Sequence, residues 1–401
     1  MLSLPDVKNL QGNIPRLYLI KIAKWFMLTM PIIVLFYQEN GLGMREVLLL
    51  QAVYSVAIVA MEIPSGYAAD MWGRKNTLIV GAILGTLGFV IYSFSFGFWG
   101  FLFAELTLGV GQSFVSGADS AMLYDTLLSK NREKKYLKYE GRVLSLGNFA
   151  ETLAALLGGL LAEASLRLPF QVQIAVAAIA IPAAITLKEP KRHKDLQKGS
   201  MKKILRIVRH ALFDNKVLRY NIVFSSIAGC ATLTMAWFIQ PYMDKILMFS
   251  KAEIGIAWAV LNLIVGLTSL IAYRIEEKLG DIKTIMGIML FVGVGYAAMS
   301  VFNSLWVIPF VVLFYFTRGV ATPVLKDYIN RLTDSDKRAT VLSVRNFIIR
   351  IFFAITGPFL GWYSDLYSLQ AALFLAGVMF FVFGTGSAII YLRCHRADKE
   401  E

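Results

Sequence analysis

Recurring apolar runs constrain this chain more than any other feature. Runs of about 20 predominantly apolar residues, the length that crosses a bilayer as a helix, recur along its 401 residues with short polar segments between them. A helix is suited to that environment because it satisfies its backbone hydrogen bonds internally. With 57% hydrophobic and only 17% charged residues, the composition excludes an ordinary soluble enzyme. The sequence therefore predicts an all-α membrane protein.

Twelve transmembrane helices in two six-helix bundles are predicted. We place them at 16–38, 46–66, 76–96, 98–121, 141–163, 168–188, 217–241, 253–273, 282–302, 304–326, 340–363 and 367–392. Residues 1–188 would form the N-terminal bundle and residues 217–401 the C-terminal bundle. The cytoplasmic linker at 189–216 is basic, and Met201–Leu212 carries its apolar residues on one helical face, which favours a helix on the membrane surface over a solvated linker.

The basic residues predict the orientation of the chain. The formal net charge is +13, and its excess Lys and Arg cluster in alternate loops. With a cytoplasmic N-terminus the outer loops hold only four basic residues, namely Arg45, Arg167, Lys245 and Lys251. The positive-inside rule then places both termini in the cytoplasm, so the charge indicates membrane orientation and not nucleic-acid binding. Short loops and the lack of sorting signals favour a bacterial inner membrane.

A loop motif lies between the second and third predicted helices. It contains Gly66, Asp70, Gly73, Arg74 and Lys75, spaced as G-x-x-x-D-x-x-G-R-K. Gly66 would allow close helix packing, Gly73 would allow a tight turn, and Asp70 could accept hydrogen bonds from helix amides or an arginine. This stretch resembles the signature of the major facilitator superfamily, in the place where that family carries it.

The resemblance implies a fold and a mechanism. Proteins of that family work by alternating access, with the first, fourth, seventh and tenth helices lining a cavity. The loop motif would be a conformational latch between the halves. The latch partners implied for this chain are Asp119 or Asp125, at the end of the fourth helix, and Arg345, at the start of the eleventh.

A weak internal repeat supports two related halves. Asp125–Asn148 and Asp327–Asn346 both leave a helix at an aspartate, cross a charged loop and enter the next helix through Val-Leu-Ser and an asparagine. A fainter match pairs Asp70-x-x-Gly73 with Glu277-x-x-Gly280. Such repeats are typical of transporters that rock two bundles about a central site.

Charged residues inside the predicted helices balance in sign. Each costs at least about 2.5–3.5 kcal/mol at the bilayer centre, so pairing is expected. The bases are Lys21, Lys24, Arg318 and Arg350, and the acids are Glu62, Glu105, Asp119 and Glu151. Similar depths in the first and fourth helices predict a Lys24–Glu105 pair. Glu62 and Asp119 are interpreted as structural or latch residues, and Glu151 as either a neutralising or a transport residue.

The candidate substrate and coupling residues follow from these positions. They are Lys21, Lys24, Trp25, Glu105, Glu151, Tyr315, Arg318 and Arg350, with Trp25 and Tyr315 as apolar binding surface or simple packing. The sequence lacks a Walker A motif, a GxSxG elbow and an HExxH motif, and its three histidines lie outside the predicted helices. We therefore expect no enzyme, no cofactor and no metal site.

The sequence predicts a monomeric secondary active transporter. Proton-coupled export of an amphipathic small molecule is the favoured function, and proton-coupled uptake of a polar or anionic solute is the alternative. A membrane enzyme or a non-transporting sensor is the alternative of another class. The enzyme would need a catalytic constellation that we do not find, and the sensor would need a soluble domain for which the length leaves no room.

Overall fold

The computed structural model describes residue 10 and residues 12–132, 135–190, 206–334 and 337–400. Within those residues every long regular element is an α-helix. In the first part of the chain these are α1 (Asn13–Trp25), α2 (Ile33–Glu39), α3 (Met44–Trp72), α4 (Arg74–Phe94), α5 (Phe98–Val115), α6 (Ala118–Leu128), α7 (Tyr136–Ala164), α8 (Leu168–Ala178) and α9 (Ala180–Ile185). The second part contains α10 (Lys216–Lys245), α11 (Lys251–Val301), α12 (Ile308–Arg331), α13 (Arg338–Leu366) and α14 (Leu369–Glu400).

Ten helical segments of the described chain are long and apolar enough to cross a membrane, where the sequence predicts twelve. The difference has two local causes. The first predicted helix is interrupted between α1 and α2, and the eighth and ninth run together as the 51-residue α11. Within α11 the backbone leaves helical geometry at Gly280, with φ at 74° and ψ at 166°.

The interruption of the first predicted helix spans residues 26–32. Pro31 supplies no amide hydrogen there. The amide of Leu28 lies outside the regular helix and donates to the side-chain oxygen of Gln173 on α8, at 2.8 Å. Gly158 of α7 lies against the same segment, since a Cβ at Gly158 would fall 2.0 Å from the Leu28 carbonyl oxygen. The absence of a side chain at Gly158 and the hydrogen bond to Gln173 thus allow this helix to break inside the bundle.

The fourth predicted helix is also divided, into α5 and α6. The division lies at Gly117, whose φ of 83° is in the left-handed region that favours glycine. Asp119 consequently lies in the first turn of a new helix, where a carboxylate is electrostatically favourable.

Two compact units make up the chain. Unit 1 comprises residues 1–42, 53–196 and 249–259, and unit 2 comprises residues 43–52, 197–248 and 260–401. One core of unit 1 includes Leu78, Met122 and Leu187, and one core of unit 2 includes Phe224, Ile285 and Tyr328.

The membrane-surface helix expected at Met201–Leu212 stays a prediction, because residues 201–205 lie outside the described residues. From His210 to Asp214 the chain forms a π-helical turn. Ile207 and Ala211 are buried against unit 2, and Leu212 packs at the edge of the same cluster. The described end of the linker therefore contributes apolar side chains to a core of unit 2.

Candidate functional site

The loop motif forms a turn that is closed by a distant carboxylate. Gly73 has a φ of 96°, so the expected tight turn is present, and α4 begins at the next residue. The Arg74 and Lys75 amides donate to the two carboxylate oxygens of Glu189, at 3.0 and 2.8 Å. A Cβ at Gly73 would lie 3.3 Å from that carboxylate. Glycine therefore serves both the turn and the close approach of a negative charge to the α4 N-terminus.

The Arg74 side chain binds α6. Its guanidinium forms an ion pair with Asp125 and also donates to the carbonyl oxygen of Ala121. Of the two aspartates considered as partners, Asp125 is thus the one in contact with Arg74. Asp70 lies exposed on α3, and a Cβ at Gly66 would meet no atom of the described residues within 4 Å, so the close packing expected there is not present.

Arg345 lies buried in unit 2, with 5% of its surface exposed. Its Nε donates to the hydroxyl of Ser225 on α10, and a second nitrogen lies 3.5 Å from the Ser225 carbonyl oxygen. A third contact joins it to the side chain of Asn346, at 3.3 Å. The donors of this arginine are therefore directed at neighbouring groups of its own unit, and its role in a latch stays a prediction.

Two lysines and one aspartate form a charged cluster in unit 1. Lys21 Nζ on α1 lies 3.0 Å from Asp119 Oδ2 on α6, and the other Asp119 oxygen accepts the amide of Ser120 at 2.7 Å. Lys24, one turn along α1, also interacts electrostatically with Asp119. The Trp25 ring packs against α7, where a Cβ at Gly147 would lie 3.1 Å from it.

Glu105 is the most deeply buried of the candidate acids, with 3% of its surface exposed. The Tyr37 hydroxyl donates to its carboxylate at 2.7 Å, Tyr92 interacts with the same carboxylate, and the two tyrosine hydroxyls contact each other. The rings of Phe36 and Phe101 lie beside the two tyrosines. The ring centroid of Phe101 lies 5.3 Å from that of Phe36 and 5.2 Å from that of Tyr37. These four rings and the carboxyl group form what we call the Glu105 network.

The Glu105 network differs from the predicted Lys24–Glu105 pair. The depth comparison assumed one continuous first helix with a constant rise per residue, and the helix breaks at Trp25. Lys24 consequently interacts with Asp119, and Tyr37 on α2 reaches Glu105. No sequence spacing identifies Tyr37 and Tyr92 as partners of Glu105, because the three residues lie on separate helices.

The remaining candidates lie apart from these clusters. In unit 2 the Arg318 guanidinium lies 5.7 Å from the ring centroid of Tyr315, which is 2% exposed. Glu151 is half-buried on α7 in unit 1, and Arg350 is half-buried on α13 in unit 2. Arg318 and Tyr315 are thus a local pair, while Glu151 and Arg350 remain separate candidates.

Comparison with known proteins identifies the family of this chain. The sequence model of the Major Facilitator Superfamily matches residues 18–239 and 222–401. The tetracycline resistance protein, class H, of Pasteurella multocida is 23% identical over 348 residues, which cover 84% of this chain and 83% of that protein. Multidrug resistance protein 1 of Bacillus subtilis is 23% identical over 319 residues, covering 77% and 78%.

Solved structures show the same fold. The nucleoside transporter NupG superposes with a TM-score of 0.77 at 14% identity, over 96% of this chain and 99% of that one. A bacterial homolog to the human lysosomal transporter Spinster, in an inward-facing and occupied conformation, gives 0.76 at 15% identity over 98% of both chains. Together with the apolar helices and the loop motif, these matches show that the chain belongs to the Major Facilitator Superfamily, as a multi-pass membrane transporter that resembles bacterial efflux members and is not an enzyme.

Proposed function

We propose that this protein exports an amphipathic small molecule in exchange for protons by alternating access. The chain would cross the membrane twelve times, in six-helix bundles formed by residues 1–188 and 217–401. The breaks at residues 26–32 and at Gly280 support this count. The interrupted segment of α1 and α2 would provide one crossing, and the two parts of α11 would provide one crossing each. The basic loops favour cytoplasmic termini in a bacterial inner membrane. We expect the protein to act as a monomer.

The observation that carries proton coupling is the Glu105 network. A tyrosine hydroxyl can donate to a carboxylate and can equally accept from a carboxylic acid. Tyr37 and Tyr92 can therefore satisfy the Glu105 oxygens in both protonation states, so that neither state leaves a buried polar group without a partner. Such a group can take up and release a proton without unfolding its surroundings.

Substrate binding is assigned to the charged cluster of Lys21, Lys24 and Asp119 with the neighbouring ring of Trp25. The cluster places two ammonium groups beside one carboxylate, and it lies where the first and fourth predicted helices break. Transporter sites are typically built at such discontinuous helices. An amphiphile that is neutral or anionic suits this balance of charge next to an aromatic ring. The names of the resistance proteins among the relatives support export as the direction.

Flux measurements in proteoliposomes test the proposal. Glu105→Gln should abolish transport driven by a pH gradient and preserve substrate exchange, because exchange needs binding and conformational change without net proton movement. Glu151→Gln is the matched control, since it removes a half-buried carboxylate of the same unit. Gradient-driven flux that survives Glu105→Gln at the wild-type rate would overturn coupling through this carboxyl group.

Uptake of a polar or anionic solute is the second candidate. The surplus of lysine over aspartate in the charged cluster favours it, because an anion could replace the missing negative charge. The direction of substrate movement under an imposed inward proton gradient separates the two functions. Substrate entering with protons would support uptake, and substrate leaving against them would support export.

A further inference from the structure

Two acidic residues hold the first amides of helices that lie far from them in sequence. Glu163 is the next-to-last residue of α7, and its carboxylate accepts the amide of Ala252 at 2.8 Å. Asp365 is the next-to-last residue of α13, and its two oxygens accept the amides of Met44 and Arg45 at 2.7 and 2.8 Å. Each carboxylate therefore caps the N-terminus of a remote helix, α11 or α3.

The two capped helices begin in the same way. Glu46 accepts the amide of Gly43 at 3.1 Å, and Glu253 accepts the amide of Ser250 at 2.7 Å. Both helices thus begin with the same pattern, in which the glutamate at the third helical position accepts a hydrogen bond from the amide of the residue before the helix. In this alignment Arg45 corresponds to Ala252, so Asp365 and Glu163 bind equivalent amides.

A glycine precedes each capping acid by four residues. A Cβ at Gly159 would lie 2.7 Å from the Lys251 carbonyl oxygen, and a Cβ at Gly361 would lie 2.5 Å from the Met44 carbonyl oxygen. Lys251 and Met44 are again equivalent positions. The sequence G-x-x-x-[D/E] at the ends of α7 and α13 therefore brings a neighbouring helix into backbone contact and, one turn later, caps it.

The division into compact units agrees with these contacts. Residues 43–52 group with the later part of the chain, and residues 249–259 group with the earlier part. Each capped segment therefore belongs to the same compact unit as the helix that caps it. A carboxylate at the C-terminal end of its own helix is electrostatically unfavourable, and the amides of a second helix N-terminus offset this.

We propose that Glu163 and Asp365 form two equivalent clasps that hold the predicted external side of the transporter closed, and that both clasps open in each transport cycle. This inference rests on the proposed alternating access. Both carboxylates are exposed, so water can replace the released amides as soon as a clasp opens. Exposed hydrogen bonds of this kind suit a contact that must form and break repeatedly.

Thiol labelling tests the clasps without substrate or gradient, which separates this test from that of proton coupling. In a background with Cys230→Ser and Cys394→Ser, Ala155→Cys reports on the Glu163 clasp, because Ala155 is 1% exposed and its carbonyl oxygen contacts Gly255. Glu163→Gln should raise the labelling rate of Cys at position 155 by an impermeant maleimide about fivefold, as expected for loss of an ordinary helix cap. Asp365→Asn should do the same for Leu48→Cys, a position that is 0% exposed.

Asp334→Asn is the matched control, since Asp334 pairs with Lys337 in a predicted cytoplasmic loop. It should leave both labelling rates unchanged. Monodisperse Glu163→Gln and Asp365→Asn proteins that label at the parent rate would overturn the proposal. If the variants fail to fold, a short bifunctional thiol cross-link between Glu163→Cys and Ala252→Cys gives the answer instead. The cross-link should stop transport until a reductant releases it, and transport by the linked protein would refute the clasp.

Discussion

The ammonium group of Lys21 lies 3.0 Å from the carboxylate of Asp119, and this contact joins two helices at the places where they are broken. Lys21 lies one turn before the end of α1, and Asp119 is the second residue of α6. Only 15% and 12% of the two side chains remain exposed. The pair therefore contributes to holding the interrupted helices in register as well as to the charge of the candidate site.

Removing one member of this pair should destabilise the protein. Asp119→Asn leaves two lysines without their carboxylate and should lower the free energy of unfolding by about 1.5–3 kcal/mol, the range for hydrogen bonds to charged groups. Thermal unfolding of the purified protein, followed by tryptophan fluorescence, measures the loss. In the Lys21→Gln/Asp119→Asn double variant the loss should be smaller than the sum of the single losses, because the second change removes a charge already without its partner.

The exposed pair of Asp334 and Lys337 provides the matched control, since Asp334→Asn should change stability by well under about 1 kcal/mol. Strictly additive losses for Lys21→Gln and Asp119→Asn would show that the two residues are not energetically coupled.

Tyr92 should be required for proton coupling beyond its packing. Tyr92→Phe keeps the ring among Phe89, Phe101 and Phe170 but removes the hydroxyl that interacts with Tyr37 and Glu105. We expect a shifted pH dependence of transport, and a loss of stability of about 1 kcal/mol for the missing hydrogen bond. Initial flux rates across a series of pH values measure the first effect.

Tyr315→Phe is the control for Tyr92→Phe. Tyr315 is similarly buried, but the charged group beside it is the Arg318 guanidinium in unit 2 and not Glu105, so Tyr315→Phe should leave the pH dependence of transport unchanged. A Tyr92→Phe protein with the wild-type pH profile would exclude Tyr92 from proton transfer.

Periodicity and loop chemistry predict much of this fold. The apolar runs locate most of the helices because a bilayer requires about 20 apolar residues for each crossing. The turn at Gly73 also follows from a short spacing, because a turn and the start of a helix are local structures. The contact of Arg74 with Asp125 joins two distant helices, and only the family resemblance indicated Asp119 or Asp125 as a partner. The weak match of Gly73 with Gly280 corresponds to the same backbone geometry at both positions.

The side-chain contacts that depend on a broken helix could not be predicted from the sequence. A constant rise per residue pairs Lys24 with Glu105, whereas the break at residues 26–32 allows Lys24 to interact with Asp119 and Tyr37 to reach Glu105. That break depends on Gln173 and Gly158, which lie more than a hundred residues away. The clasps at Glu163 and Asp365 likewise depend on tertiary contact, because the sequence G-x-x-x-[D/E] at a helix end does not identify the remote helix that it caps.

The loop motif should control the conformational equilibrium. If Asp70 fastens the cytoplasmic ends of the halves, Asp70→Asn should loosen the outward-facing state and reduce transport without affecting expression. Accessibility of introduced cysteines, compared between variant and parent, reports the shift in population. Asp334→Asn is the control, because Asp334 is an exposed carboxylate outside the loop motif and its predicted latch partners. Unchanged accessibility together with full transport would remove Asp70 from the latch.

Lys24 should decide which charge the substrate carries. Lys24→Ala removes one of the two ammonium groups beside Asp119, so it should weaken binding of an anionic amphiphile strongly, by about tenfold or more if a charged hydrogen bond is lost. A cation should bind as well as before or better. Equilibrium binding to the purified protein, with paired anionic and cationic amphiphiles of similar size, measures the difference.

The pH dependence of binding gives an independent test of the substrate's charge. Protonation of Glu105 at low pH removes a negative charge from the unit that also contains the charged cluster, so anion affinity should rise and cation affinity should fall as pH is lowered. Glu105→Gln should abolish both trends, because the variant cannot titrate. Tight binding of lipophilic cations that strengthens as pH rises and persists in Lys24→Ala would contradict the preference for a neutral or anionic substrate, and would assign Glu105 to direct contact with the cation.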